Sequence, residues 1–240
     1  MIAALGEAGE VDLLSFGART DRDGPPPPDL RLLRVEPVPV TGADRALRWL
    51  RSGLPRTMLI SDGEAVRDAA RAWVAERHYD VVYYSHIHSW LVGRGLVDAP
   101  SIVDFDNLDH LVIRAARRQR PSGAGLATQA TWLARRPVDR IDEGRMRRLE
   151  LRCAASVDAV TLCSTLDVER SGATNAVVVA NGYERIGDAP ASRHGAYFLF
   201  VGALGYLPNA DAARWFVREL FPQIRADRPD AVVRLVGGGE

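Results

Sequence analysis

The 240-residue sequence contains no lysine, because all 31 of its basic side chains are arginine. This absence excludes chemistry that needs an amine, such as a Walker-type phosphate loop, a pyridoxal Schiff base or a lysine-dependent aldolase. Cysteine is almost absent as well. Cys153 and Cys163 lack the CxxC spacing of a zinc or redox site, and we predict that both are reduced core thiols.

The sequence also lacks a run of 18 apolar residues and the basic, apolar start of a secretory signal. We therefore expect a cytoplasmic protein that does not span a membrane. Its 31 acidic residues balance the arginines, and 47% of its residues are hydrophobic. This composition is typical of a soluble globular protein.

Apolar runs alternate with amphipathic helical segments, and this pattern predicts an α/β fold with parallel strands. The first two predicted strands are 11–16 and 30–40. The second of these is expected near a sheet edge, because it contains two prolines. Continuous apolar runs predict four buried strands in a parallel sheet covered on both faces: 80–84, 101–104, 159–163 and 176–179. Between the second and third of these buried strands, the helical stretch 107–155 is expected to break at 121–125 and at Pro137.

A new unit begins after a polar stretch, with a strand at 197–201, a helix at about 209–220 and a strand at 232–236. We place the domain boundary after residue 186. Residues 1–186 are predicted to form a Rossmann-like domain whose first strand is missing. Residues 187–240 are predicted to be the first βαβ unit of a second Rossmann-like domain, which is incomplete because it is close to the lower size limit for an independent core.

Several sequence phrases, taken in order, match one family. They are DVVY at 80–83, PSIVDFD at 100–106, DAVTLCS at 158–164, NGY at 181–183, FVGALGYLPNADA at 200–212 and LVGGG at 235–239. The sequence resembles a bacterial retaining glycosyltransferase of family four, with the GT-B fold of two facing Rossmann-like domains. The phrase beginning at Gly202 is the most specific part of this resemblance, which spans nearly the whole chain.

The resemblance implies a nucleotide-diphosphate sugar bound by the C-terminal domain, an acceptor bound by the N-terminal domain, and no bound cofactor or metal. It also implies basic and glutamate side chains downstream of the 237–239 turn, and a glycine-rich loop after an opening strand. The sequence contains neither feature. We therefore assign no catalytic residue and expect the activity of this isolated chain to be impaired.

Small residues follow the strand at 197–201 and lead into the next helix. Loops at the carboxyl ends of parallel strands present unpaired amides to ligands, and glycine lets the backbone approach a diphosphate. For Gly202, a plain strand-to-helix turn is the alternative interpretation. The predicted donor-binding residues are Gly202, Ala203, Leu204, Gly205, Asn209, Gly237 and Gly239.

Polar side chains also follow two of the predicted buried strands. Strand alternation would place His86 and His88 on the same side. A metal site would need Asp104 or Asp106 as a third ligand, and we expect none. Asp104 is predicted to orient a sugar hydroxyl, whereas Asp106 or Asn107 is alternatively a helix cap. The predicted acceptor-side residues are His86, His88, Asp104, Asp106, Asn107 and His110.

Charge is uneven only between Arg114 and Arg152, where eleven arginines accompany four acidic residues. One interpretation is a solvated helix face. The other is attachment to anionic lipid headgroups on the inner face of the plasma membrane, close to a lipid-linked acceptor. The predicted membrane-facing residues are Arg117, Arg118, Arg135 and Arg136. No aromatic stacking series accompanies the arginines, so a nucleic-acid partner is not expected.

The principal prediction is a hexosyltransferase of the cell-envelope polysaccharide type, which transfers a sugar from a nucleotide-diphosphate donor to a glycan, lipid or small-molecule acceptor with retention. One alternative is a sugar-nucleotide epimerase of the same architecture, which needs no acceptor. The other is a non-catalytic remnant that binds an acceptor, a membrane or a partner chain. A dinucleotide oxidoreductase is least favoured, because no GxGxxG follows an opening strand.

Overall fold

A computed structural model describes residues 6–7, 9–16, 30–36, 38–59, 63–119, 125–182 and 197–238. The chain divides into two compact units, residues 1–182 (unit 1) and 183–240 (unit 2). The predicted domain boundary after residue 186 lies outside the described residues.

Unit 1 is a mixed α/β unit in which all the described strands run parallel. Its strands are β1 (Asp12–Phe16), β2 (Arg31–Val35), β3 (Val82–Ser85), β4 (Ser101–Asp106), β5 (Ala159–Leu162) and β6 (Ala176–Val178). β1 pairs with β2 in one sheet, and a second sheet has the order β3-β4-β5-β6. The predicted parallel α/β fold is confirmed at this level. The second strand is shorter than expected, because its ladder ends at Val35, before the prolines.

Helices connect these strands. They are α1 (Gly42–Ser52), α2 (Gly63–Val74), α3 (His86–Gly93), α4 (Asp109–Arg118), α5 (Leu126–Ala154) and α6 (Thr165–Ser171), with a short 3₁₀ turn at Arg56–Met58. Ser164 caps α6, because its hydroxyl accepts a hydrogen bond from the Asp167 backbone N–H at 3.1 Å. None of the helices in the described ranges is long and apolar enough to cross a membrane.

The expected helix break at Pro137 is wrong, because Pro137 lies inside α5, a continuous helix of 29 residues. A proline removes one backbone donor, but the rest of a long helix can hold the chain when one end is firmly packed. In α5 that end is the C-terminal half. All of its buried residues lie between Asp142 and Ala154, whereas Leu126 at the other end is 85% exposed.

The core of unit 1 lies on one face of the four-stranded sheet. Val103, Val160 and Leu162 on the strands are fully buried and belong to one apolar cluster with Trp90 of α3 and Leu149 of α5. Alternate positions along β5 are buried and half-buried, as expected when only one face is tightly packed. The residues of the other face of β5 are half-buried, and the covering of both faces of the sheet stays a prediction. Both cysteines are free, and Cys153 lies in this core as predicted. The core position expected for Cys163 is wrong, because this residue follows the end of β5 and is half-buried.

Unit 2 contains the strands β7 (Tyr197–Val201) and β8 (Val232–Val236), which pair in parallel. Helix α7 (Leu207–Trp215) continues through a π-helical turn (Phe216–Leu220) into α8 (Phe221–Asp227), so the helical segment is longer than predicted. Phe198 of β7 packs with Phe216 and Phe221 of this helical segment, and the three rings lie at centroid distances of 5.9–6.4 Å. Both strands have the predicted bounds.

Candidate functional site

The carboxyl ends of β3 and β4 lie side by side and carry two strained residues. His86 directly follows β3 and has a φ of 65°, and Asp106 ends β4 with a φ of 54°. They are the only non-glycine residues with positive φ in the described ranges. Such a conformation costs free energy and is concentrated at ligand and active sites. This edge of the sheet is therefore the candidate functional site of unit 1.

Asp104 is the hydrogen-bond acceptor at the centre of this edge. Its Oδ1 accepts from the Thr161 hydroxyl at 2.9 Å and from the Asp106 backbone N–H at 3.2 Å. Burial raises the pKa of Tyr83 to about 12, and its hydrogen bond to Asp104 adds to the rise. The carboxylate thus connects β3, β4 and β5. Its predicted contact with a sugar hydroxyl would have to use the remaining acceptor positions.

A tight turn follows Asp106. The Asn107 backbone N–H donates to the Phe105 carbonyl at 2.5 Å, and its side-chain Nδ2 donates to Asp106 Oδ2 at 3.0 Å. Neither residue caps α4. The capping position is occupied by Leu108, which provides no side-chain acceptor. The alternative assignment of Asp106 or Asn107 as a helix cap is therefore wrong, and the exposed Asn107 stays a predicted acceptor-side residue.

The start of α4 is instead satisfied by a glutamate from α5. Glu150 Oε1 accepts from the His110 backbone N–H at 2.9 Å, and Oε2 accepts from His110 Nδ1 at 2.5 Å. Both residues are about 96–97% buried. His110 is thus a partner of Glu150 in the interior. Its predicted position beside an acceptor is wrong, because a buried imidazole is not open to a ligand from solvent.

Asp109 and Glu150 were not identified from the sequence. Burial raises the pKa of Asp109 above its ordinary value, and the neighbouring Glu150 carboxylate raises it further. The Asp109 carboxyl group therefore lies close enough to Asp106, His86 and Glu150 to interact with them electrostatically. No sequence spacing indicates this cluster, because Glu150 is 40 residues from His110.

The two histidines do not share a side. β3 ends at Ser85, and both residues lie in α3, where positions two apart are about 200° apart around the axis. His86 is exposed. His88 is half-buried, with its ring edge-on to Phe16 at 5.2 Å, and burial lowers the pKa of its imidazole. The alternation prediction is wrong. Among the described residues no group of three or more potential ligands is placed to hold a metal ion.

In unit 2 the predicted donor loop packs against the turn after β8. The backbone N–H of Gly202 donates to the Val236 carbonyl at 2.9 Å, and the amides of Leu204 and Gly205 donate to the Gly238 carbonyl at 2.8 and 3.4 Å. The expectation of unpaired amides is therefore wrong for these three residues. Ala203 lies at the exposed tip of the loop.

The glycines of this region have a packing role. A Cβ on Gly237 would lie 1.7 Å from the Gly202 carbonyl oxygen, and a Cβ on Gly202 would lie 3.0 Å from Asn209 Nδ2. That Nδ2 donates to the Ala203 carbonyl at 3.2 Å, so the Asn209 side chain braces the loop. The plain-turn interpretation of Gly202 accounts for these contacts, and donor binding stays a prediction. Gly239 lies outside the described residues.

The four arginines predicted to face a membrane differ in their surroundings. Arg117 is only 13% exposed, and its Nη2 donates to Glu143 at 2.9 Å. Its assignment to a membrane face is therefore wrong. Arg118, Arg135 and Arg136 are exposed, and the guanidinium of Arg136 lies over the Trp132 ring at 5.0 Å. The exposed Leu126 and Leu133 lie on the same helix as the latter two.

No protein-family model matches the chain, and no curated protein matches it.

Proposed function

We propose that the protein is a glycosyltransferase with the GT-B architecture, which transfers a sugar from a nucleotide-diphosphate donor to a glycan, lipid or small-molecule acceptor with retention. The observation that carries the proposal is the pair of small-residue turns in unit 2, Gly202–Gly205 and Gly237–Gly238. Both follow the carboxyl ends of parallel strands, and they contact each other directly. In parallel α/β folds, this is where nucleotide ligands bind.

The chemistry places two demands on the protein. The bond between the anomeric carbon and the diphosphate breaks, so negative charge grows on the leaving group, and the acceptor hydroxyl must be held on the same face of the sugar. Exposed Ala203 at the loop tip and the start of α7 offer a small surface and a favourable dipole for the diphosphate. The strained edge of unit 1 supports the acceptor role, because His86 and Asn107 are exposed there.

The proposal includes peripheral attachment to the inner face of the plasma membrane, with the protein otherwise cytoplasmic. Arg118, Arg135 and Arg136 would face anionic headgroups, and the exposed Leu126 and Leu133 would enter the interface. A lipid-linked acceptor would then be within reach of the enzyme.

Binding of nucleotide-diphosphate sugars to the 240-residue chain tests the donor site. Isothermal titration calorimetry compares the wild-type chain with Ala203→Glu and with the matched control Ala226→Glu, an equally exposed alanine on α8. We expect the control to bind like the wild type and Ala203→Glu to bind at least about tenfold more weakly, since an added carboxylate repels a diphosphate. A folded wild-type chain that binds no nucleotide sugar would contradict the proposal and favour the non-catalytic alternative.

Product analysis separates transfer from epimerisation. A labelled nucleotide sugar that binds is incubated with and without a membrane extract as the acceptor source. Label that enters a larger product only with the extract supports transfer. Conversion to an isomeric nucleotide sugar without any acceptor would identify the epimerase instead.

A further inference from the structure

One pocket in the described part of unit 1 is lined by none of the residues of the strained edge. It has a volume of about 780 Å³ and is lined by residues of α1, the 3₁₀ turn, α4 and α5. Its wall is mostly apolar, with Trp49, Trp132 and Ile113 among the lining residues. No sequence motif indicates this pocket, because its walls come from segments up to a hundred residues apart.

The acidic side of the pocket is already neutralised. Asp142 Oδ1 accepts from Trp49 Nε1 at 2.7 Å, and Asp142 Oδ2 accepts from Arg56 Nε at 2.5 Å. Arg56 also pairs with Asp139 through Nη2. The Arg145 guanidinium lies over the Trp49 ring, 4.5 Å from its centroid. Because Arg56 pairs with both Asp139 and Asp142, these two carboxylates do not require a cationic ligand to neutralise them.

The other side of the pocket carries two donor atoms without acceptors, although the Arg45 guanidinium also donates from Nη2 to the Arg56 carbonyl at 3.0 Å. Arg45 Nε and Trp132 Nε1 are the two buried side-chain polar atoms of the described residues that have no hydrogen-bond partner, and both residues line this pocket. A buried donor without an acceptor destabilises the protein unless a ligand supplies one. Arg135, which also lines the pocket, is exposed and forms no ion pair within the described part of the chain.

The three groups have one chemistry in common. A guanidinium and an indole N–H can only donate, and two of the three groups carry a positive charge. The complementary ligand is therefore an anion with several acceptor oxygens, and a phosphate group offers three to donors approaching from α1 and α5. The apolar wall would accommodate a hydrocarbon portion.

We propose that this pocket binds the phosphate ester of an amphiphile, with the phosphate between Arg45, Trp132 and Arg135 and the apolar part against the aromatic wall. The inference depends on unit 1 alone. It holds whether or not the chain transfers sugars, because donor binding is assigned to unit 2. If both proposals hold, the pocket would bring the protein to a membrane or retain a lipid-linked acceptor.

Titration calorimetry with hexyl phosphate, used below its micelle concentration, tests the pocket in the full 240-residue chain. Hexyl glucoside is the neutral control ligand with the same alkyl chain. The variants are Arg45→Gln and Trp132→Phe, and the matched control is Arg152→Gln, an exposed arginine of α5 that does not line the pocket. Far-ultraviolet circular dichroism establishes that each variant is folded before its binding is compared.

We expect hexyl phosphate to bind the wild type and Arg152→Gln with the same dissociation constant. Each pocket variant should bind at least about tenfold more weakly, because each loses a hydrogen bond to a charged group. The proposal would be overturned if hexyl phosphate does not bind the wild type, if hexyl glucoside binds as tightly, or if all four proteins bind equally.

Vesicle flotation then identifies the source of the phosphate. Binding to phosphatidylglycerol vesicles that Arg45→Gln loses and Arg152→Gln keeps would assign the pocket to lipid headgroups. Hexyl phosphate binding together with equally weak flotation of all proteins would assign it to a soluble phosphate ester. Flotation lost equally in Arg45→Gln and Arg152→Gln, with no hexyl phosphate binding, would show general charge attraction and contradict the pocket.

Discussion

Replacing Glu150 with leucine tests the interior hydrogen bonds behind the candidate site. Leucine is similar in size and apolar, so the change removes both acceptors for His110 without a large cavity. It leaves a backbone N–H and an imidazole N–H buried without partners. Each such donor costs about 1–3 kcal/mol, and breaking a buried pair by removing one partner costs about 3–5 kcal/mol. We therefore expect the free energy of unfolding to fall by about 3–5 kcal/mol.

The double variant His110→Phe/Glu150→Leu separates the two hydrogen bonds. It removes the imidazole but leaves the backbone N–H unpaired, so about 1–3 kcal/mol of the loss should remain. The matched control is Glu169→Leu, an exposed glutamate on α6, which should change stability by less than about 0.5 kcal/mol.

Urea unfolding followed by tryptophan fluorescence measures these differences. Four of the five tryptophans are in unit 1, so the signal reports mainly on that unit. A Glu150→Leu variant as stable as the control would refute the reasoning. So would a double variant that is less stable than the single one, because the imidazole would then contribute through packing and not through its bond to Glu150.

Three further predictions concern charge and backbone. Burial alone would raise the pKa of Glu143, but its hydrogen bonds to Arg114 and Arg117 outweigh burial and lower the pKa below 4.5. The stabilisation from Glu143 is therefore present above pH 4.5 and is lost as the pH falls through the lowered pKa. Unfolding measured over this acid range should show the wild type losing its stability advantage over Glu143→Gln. Burial lowers the pKa of His88 below 6.5. As the pH falls, the unfolded chain therefore takes up the proton first, and the free energy of unfolding decreases below pH 6.5. His88→Phe should show a smaller decrease in this free energy, and an identical pH profile would contradict the prediction. Gly237→Ala would push a methyl group onto the Gly202 carbonyl. Thermal unfolding should show that the variant loses about 1–3 kcal/mol of stability. The control Gly182→Ala, where a Cβ meets nothing within 4 Å, should leave the unfolding transition unchanged.

The sequence by itself determined the parallel strands and their order along the chain. Short, continuous apolar runs at β3 to β6 and at β7 and β8 are unusual in irregular segments, and the helical spacing between them leaves parallel pairing as the favoured arrangement. The small residues after Val201 also indicated a tight turn. These are local properties, because each depends on a few neighbouring residues and on the geometry of the peptide backbone.

Tertiary structure decided what each polar side chain contacts. His86 and His88 lie on a helix, His110 is paired with Glu150 from a distant helix, and Arg117 is held by Glu143. The amides of the donor loop bond to the turn after β8, whose position depends on a strand some thirty residues away. A side chain of given chemistry can face solvent, a ligand or an internal partner. Only the packing of distant segments selects among these, because the free energy of a hydrogen bond depends on which groups are buried together.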